Sequence, residues 1–141
     1  MSGPRAAPST EIDRGFPLDL RAPGEARRLL APLGGVVPAE VMTDVALVIS
    51  ELVTNSLQHS GRTDHQVDVA IRAGPDALRL EVRDAGPGFE PTPLSAPPPP
   101  GVSGWGLFIV DRVASRWGTR PGGMVWAELD YPVAGHGRFT R

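Results

Sequence analysis

The chain has 141 residues, of which 40% are hydrophobic and 21% charged, a composition that suits one globular domain with its own core. A net charge of −2 gives no general attraction to nucleic acid or to an anionic membrane, so neither is an expected partner. The sequence contains no cysteine and no lysine, which excludes disulfides, thiol catalysis and lysine nucleophiles.

Both ends of the chain are predicted to be tails. Residues 1–14 are small, polar and proline-containing, and they lack the apolar stretch of a signal peptide. No apolar run reaches the roughly 20 residues that span a bilayer. We therefore expect a cytoplasmic protein in which one domain occupies residues 15–131 and residues 132–141 form the second tail.

A strand and a helix are predicted to open the domain. The strand covers residues 16–20, and the helix covers residues 25–33 after Pro23, a residue suited to a first helical turn. Gly34 and Gly35 then end the helix.

The longest predicted helix covers residues 38–59, with Pro38 in its first turn and Ser60 and Gly61 after its end. Its apolar side chains recur at helical spacing and form one broad stripe: Val41, Val45, Val48, Ile49, Leu52, Val53 and Leu57. A stripe of this kind is typical of a helix that packs on a core.

Two predicted strands follow, over residues 67–72 and 78–83, where apolar and polar residues alternate. Residues 74–76 read Gly-Pro-Asp, a turn that makes the strands an antiparallel hairpin. Residues 85–104 form a long proline-rich loop, which is either a passive linker or a functional segment between two glycine motifs.

The last predicted elements are a helix over residues 105–116 and a closing hairpin. The hairpin strands cover residues 117–120 and 124–129, and the turn between them reads Pro-Gly-Gly. The tryptophans of this hairpin, Trp117 and Trp126, are more typical of packing than of a binding platform.

Glu51, Asn55 and His59 lie four residues apart on the long helix, which puts them on one face, and Asp44 extends that face. At this spacing alone, the four residues fit a solvated helix surface. Asparagine is a mediocre helix former, however, because its amide competes for backbone hydrogen bonds. An amide oxygen beside a carboxylate suits Mg²⁺, which leaves Glu51 to orient or deprotonate a hydroxyl or a water.

Residues 84–89, DAGPGF, end the first hairpin. Asp84 can accept a hydrogen bond from an amino group such as that of adenine, and Gly86 and Gly88 permit a flat base to approach the backbone. An ordinary strand-ending turn has the same pattern.

Residues 101–106, GVSGWG, open the helix that follows the long loop. Free amides at a helix N-terminus bind phosphate, and glycine permits close approach. The lysine of a Walker loop is absent, and no βαβ unit encloses the motif as it would in a Rossmann fold.

The three motifs in this order resemble those of the Bergerat-fold ATPases, which include DNA gyrase, a heat-shock chaperone family and sensor histidine kinases. SELVTNSLQHSG is similar to their N box, VRDAGPGF to their first glycine box and GVSGWGLFIVDRVASRWG to their second. The likeness covers roughly residues 16–130, and it is strongest to the stand-alone anti-sigma-factor serine/threonine kinases and their bacterial relatives. It implies an α+β two-layer sandwich, in which a mixed, mostly antiparallel sheet carries about three helices on one face and a loop forms an ATP lid.

The resemblance also implies ATP and Mg²⁺ as cofactors and gives each matching residue a role. Asn55 is the implied magnesium ligand, Glu51 the implied general base and Asp84 the partner of the adenine amino group. The other implied nucleotide contacts come from the two glycine boxes: Gly86, Gly88, Phe89, Gly104, Trp105, Gly106 and Leu107. His59 matches the last N-box position, where it contacts the nucleotide or interacts only with the helix dipole.

Two features depart from the anti-sigma relatives. Trp105 stands where they often carry arginine, which leaves the phosphate charge to Mg²⁺, helix amides and either Arg112 or Arg62. The implied lid over residues 85–104 is short and stiffened by proline rather than made flexible by glycine.

The leading interpretation is an anti-sigma-type kinase that phosphorylates a serine or threonine of a small antagonist protein and controls a sigma factor. A homodimer is one assembly that the resemblance implies. The alternative is a non-catalytic nucleotide-binding module that acts through protein–protein contacts. A sensor histidine kinase fragment fits less well, because no long helix with a phosphoacceptor histidine precedes the N box, and the chain is too small for a topoisomerase or chaperone fragment.

Overall fold

The computed structural model describes residues 10–59, 66–84 and 105–132. These ranges hold five strands, three α-helices and one turn of 3₁₀ helix. In chain order the elements are β1 (Thr10–Pro17), α1 (Ala22–Arg28), the 3₁₀ turn (Ala31–Leu33), α2 (Ala39–His59), β2 (Gln66–Ala73), β3 (Ala77–Asp84), α3 (Trp105–Val113), β4 (Arg116–Arg120) and β5 (Met124–Asp130).

The strands form one sheet in the order β1-β2-β3-β5-β4, and each of the four pairings between these strands is antiparallel. Near its centre, Ile71 on β2 lies opposite Ile12 on β1 and Leu80 on β3. Buried residues occupy alternate positions along β2 and β3, so one face of the sheet is covered and the other meets solvent. The predicted α+β sandwich is confirmed, with antiparallel pairing throughout these strands where a mixed sheet was expected.

The central helix of the covered face is α2. It packs on β3 and β5, while α1 and α3 both contact α2. The apolar stripe predicted from the sequence includes five residues of α2 with no solvent exposure: Val45, Val48, Ile49, Leu52 and Val53. Burying a side chain of this size contributes about 2 kcal/mol. This packing fixes the rotation of α2 about its axis, and therefore the direction in which its polar residues point.

The first strand differs from its predicted position. β1 begins at Thr10 and ends at Pro17, so it includes residues 10–14, which the sequence assigns to a tail. Its inward positions carry two apolar residues, Ile12 and Phe16, both only half-buried. The alternation is therefore weak in the sequence, and the strand depends on pairing with β2 along its whole length.

Two predicted helices are shorter in the structure. α1 ends at Arg28, and a separate 3₁₀ turn follows, because Pro32 lacks the N–H that would continue an α-helix. α3 ends at Val113 instead of residue 116, since Arg116 already pairs with Glu128 as the first residue of β4.

The two predicted hairpins are confirmed. Between β2 and β3, the Gly74 N–H donates to the Ala77 carbonyl oxygen at 2.9 Å. Between β4 and β5, Gly122 and Gly123 adopt positive φ angles of 89° and 76°, which favour glycine. None of the helices in the described ranges is long and apolar enough to cross a membrane.

Candidate functional site

Glu51 and Asn55 are one turn apart on α2, and they differ from the rest of the predicted polar face in burial. Asn55 is buried, with 4% of its surface exposed to solvent, and Glu51 is half-buried. Asp44, earlier on the same helix, is exposed. A solvated helix surface, the simplest interpretation of the spacing, therefore accounts for Asp44 but not for Asn55.

The element that covers Glu51 is the first turn of α3. Gly106 is the second residue of α3, and a Cβ built on it would stand 3.0 Å from Glu51 Oε1 and 3.7 Å from Glu51 Cβ. The structure thus brings the N box and the second glycine box into contact. It also puts the Glu51 carboxylate beside the end of α3 where the N–H groups have no partner within the helix.

The chemistry of Glu51 changes with this burial. Partial removal from water raises the pKa of Glu51 above its ordinary value, because desolvation penalises the charged carboxylate. Within residues 10–59, 66–84 and 105–132, no arginine forms an ion pair with it. A half-buried carboxylate with a raised pKa is a stronger proton acceptor than an exposed one.

The Asn55 amide can hold a bound group. Its Nδ2 is buried, and no atom of the described residues accepts a hydrogen bond from it. A buried donor left without a partner costs about 1–3 kcal/mol, so a ligand that satisfies it would recover that free energy. Rotation about the last side-chain bond exchanges Nδ2 and Oδ1, and the same position then offers an acceptor to a cation.

A metal at this position would need ligands from a bound molecule. The described part of the chain contains no group of three acidic or histidine residues arranged around a metal. Mg²⁺ commonly takes one or two protein ligands and completes its shell with waters and phosphate oxygens. Asn55 beside Glu51 therefore fits a magnesium–nucleotide complex better than a metal held by the protein alone.

Asp84 is the last residue of β3 and is half-buried. Its backbone N–H donates to the carbonyl oxygen of Gly123 at 3.2 Å, which ties the end of β3 to the β4–β5 turn. From the sequence, Gly123 is predicted only as a turn residue. The signal in the sequence is the Gly122-Gly123 pair itself, because adjacent glycines permit the positive φ angles that this turn adopts.

Four predicted site residues lie outside the described ranges, together with the implied lid: Gly86, Gly88, Phe89 and Gly104. His59 ends α2 and Trp105 begins α3, and the roles assigned to them stay predictions. Leu107 is half-buried and packs against the core, so the group it can offer a ligand is its backbone.

Arg112, suggested as a cation for the phosphates, lies in the last turn of α3. At a rise of about 1.5 Å per residue it is roughly 10 Å along the helix from Trp105. Its guanidinium bonds Asp111 at 3.2 Å and stacks 4.6 Å from the centroid of the Phe108 ring. Arg112 is therefore remote from the end of α3 that would face a phosphate.

Comparison with known proteins identifies the family. The chain belongs to the histidine kinase-like ATPase domain family, whose model matches residues 16–126. Among solved structures it is similar to the histidine kinase domain from Erythrobacter litoralis EL346 blue-light activated histidine kinase, with 21% identity and a TM-score of 0.49. That match covers 93% of this chain and 65% of the other. No curated protein matches the chain. Membership of an ATPase family supports ATP binding by this domain.

Proposed function

We propose that the protein is an anti-sigma-type serine/threonine kinase that binds ATP with Mg²⁺ in the cytoplasm. It transfers the γ-phosphoryl group to a serine or threonine of a small antagonist protein and thereby controls a sigma factor. The observation that supports this proposal best is the Glu51 carboxylate, half-buried, with a raised pKa, against the first turn of α3.

Each role follows from the chemistry of the side chain. ATP is the phosphoryl donor, and a bound Mg²⁺ would supply positive charge to its phosphate oxygens. Asn55 holds the metal through its amide oxygen, while Asp84 accepts from the adenine amino group. The Glu51 carboxylate accepts the proton that the serine or threonine hydroxyl loses as its oxygen bonds to the γ-phosphorus, while the bond from that phosphorus to the bridging oxygen breaks and ADP leaves. Unpaired N–H groups at the start of α3 stabilise the charge that develops on the phosphate.

Phosphate transfer is tested directly with γ-labelled ATP, Mg²⁺ and a small antagonist protein of the proposed class. We expect Glu51→Gln, which keeps the shape and removes the base, to lower transfer by about 10²–10⁴-fold. Asp44→Asn is the matched control, since it removes an exposed carboxylate from the same helix, and it should leave transfer unchanged. Transfer by Glu51→Gln at the wild-type rate would exclude Glu51 as the base, and absence of transfer by the wild type would refute the kinase proposal.

A second candidate is a non-catalytic module in which nucleotide only sets a conformation that a partner protein reads. The position of Arg112, bonded to Asp111 in the last turn of α3, favours it, because this arginine is not at the phosphate end. In that case Glu51→Ala leaves regulation of the partner intact, while Asn55→Ala or Asp84→Ala abolishes it through lost nucleotide binding. Identical loss in all three variants would count against the module.

A further inference from the structure

Gly106 occupies a helical position that its backbone does not require to be glycine. It lies in the first turn of α3, and its φ is not positive. Glycine weakens a helix relative to alanine because it loses more backbone entropy on folding. The reason for glycine at this position must therefore be sought in what surrounds it.

Among the described residues, Glu51 is the residue that a side chain at position 106 would meet first. The three nearest atoms to a Cβ built there all belong to Glu51: Oε1 at 3.0 Å, the carbonyl oxygen at 3.5 Å and Cβ at 3.7 Å. The second and third distances are ordinary van der Waals contacts. Only the carboxylate oxygen is too close, and it would have to move by a few tenths of an ångström to admit a methyl group.

We infer that Gly106 is a positioning residue for Glu51. Because Gly106 has no side chain, the α3 backbone lies against the Glu51 carboxylate and holds it in position. The inference deepens the proposed function and rests on it for its catalytic meaning. The Cβ direction points toward α2, so a methyl group would crowd Glu51 and leave the backbone N–H of residue 106 in place. A substitution at position 106 should therefore disturb Glu51 without removing a contact between the α3 backbone and a phosphate.

A double-mutant cycle tests the contact through stability. Gly106→Ala is made in the wild type and in Glu51→Ala, and the midpoint of denaturant unfolding is measured for all four proteins. In the Glu51→Ala background the carboxylate is gone, so we expect alanine at 106 to raise the midpoint as a better helix former. In the wild type we expect this gain to be absent or reversed. Additive effects would overturn the inferred contact.

Phosphate transfer tests the positioning role, with γ-labelled ATP and the same acceptor. We expect Gly106→Ala to lower kcat by about tenfold and to leave the KM for ATP nearly unchanged, because small misplacement of a base slows chemistry more than binding. Gly24→Ala is the matched control: it is also a helical glycine, but its Cβ would meet only Arg27 Nη2 at 3.6 Å. Gly24→Ala should leave kcat unchanged.

The outcomes separate this inference from the proposed function. A non-additive cycle with an unchanged kcat would refute the positioning role and leave the kinase proposal standing. A wild type that transfers no phosphate would refute the kinase proposal and with it the catalytic role of Gly106, while the cycle would still decide the contact. A non-additive cycle with a lowered kcat supports both.

Discussion

The backbone N–H of Asp84 donates a 3.2 Å hydrogen bond to the carbonyl oxygen of Gly123. The bond joins the end of β3, where the first glycine box starts, to the turn between β4 and β5. Gly123 has a φ of 76°, a backbone conformation that is unfavourable for residues with a Cβ atom. The placement of a candidate adenine-binding residue therefore depends on a glycine 39 residues away on a different hairpin.

We predict that Gly123→Ala destabilises the domain by about 1 kcal/mol, since alanine at positive φ is strained. We also expect weaker binding of ADP, because the strained turn shifts the carbonyl that holds Asp84. Chemical denaturation and calorimetric titration with ADP measure the two effects. Gly74→Ala is the control from the other hairpin turn, where φ is not positive and the nearest atom to a Cβ, the Ala77 carbonyl oxygen, is 3.5 Å away. ADP binding equal to wild type in Gly123→Ala would contradict this prediction.

Asn55→Ala should separate ligand binding from stability. Asn55 Nδ2 has no acceptor among the described residues, so the substitution removes no hydrogen bond that this atom donates there. Without nucleotide, we expect Asn55→Ala to lower the free energy of unfolding much less than Leu52→Ala does. Leu52 is a fully buried neighbour, and its truncation should cost about 2–5 kcal/mol. We expect the increase in Tm caused by Mg·ATP to be lost in Asn55→Ala and kept in Leu52→Ala. Retention of that increase in Asn55→Ala would exclude Asn55 from the site.

The sequence predicts most of the fold because the period of its apolar residues is clear. α2 and the β2–β3 hairpin follow the predicted bounds closely, since their apolar residues repeat at helical and strand spacing. β1 does not, because a strand with two half-buried apolar residues is defined by the partner it pairs with. Pairing across distant parts of the chain leaves no periodic mark in the sequence.

The sequence also predicts one part of the candidate site, its residues, and not the other part, the contacts between them. The residue types of the three motifs predict Glu51, Asn55 and Asp84 as chemically important, and their order along the chain supplies the resemblance. The contact between Glu51 and Gly106 is not predicted, because it depends on how α3 packs against α2. Packing distances of a few ångströms decide the desolvation of a carboxylate, and these distances are properties of the folded chain alone.

Glu128 is the centre of an ion-pair network on β5, and its loss should destabilise the sheet. Its carboxylate accepts from Arg116 at 2.9 Å and from Arg79 at 2.8 Å, and these two hydrogen bonds lower the pKa of Glu128. We predict that Glu128→Gln costs about 1 kcal/mol at neutral pH, the upper end for solvent-screened pairs. Glu11→Gln removes an exposed pair with Arg72 at 3.5 Å and should cost less than half as much.

The cost of Glu128→Gln should also depend on pH. A lowered folded-state pKa gives stability that is present above the unfolded pKa, about 4.3, and is lost as pH falls through the folded value. Denaturation of the wild type and Glu128→Gln from pH 7 down to pH 3 measures this. A difference between the two proteins that does not shrink in acid would show that the ion pairs are not its source.

The contribution of Glu51 to stability should have the opposite pH dependence to that of Glu128. Burial raises the pKa of Glu51, whereas hydrogen bonds lower the pKa of Glu128. A raised folded-state pKa gives stability that is full below the unfolded value, about 4.3, and is lost as pH rises through the folded value. The ionised Glu51 is therefore a cost to the fold at neutral pH. We predict that Glu51→Gln raises the Tm at pH 7 by no more than about 3 °C, because solvent screens a half-buried carboxylate, and changes it little below about pH 4. Asp44→Asn, on the exposed part of α2, serves as the comparison and should show no such gain at pH 7.

If Glu51→Gln lowered the Tm at pH 7 instead, a favourable partner would stabilise the ionised carboxylate. The first turn of α3 beside Gly106 would then donate a hydrogen bond to Glu51 rather than only shield it from water.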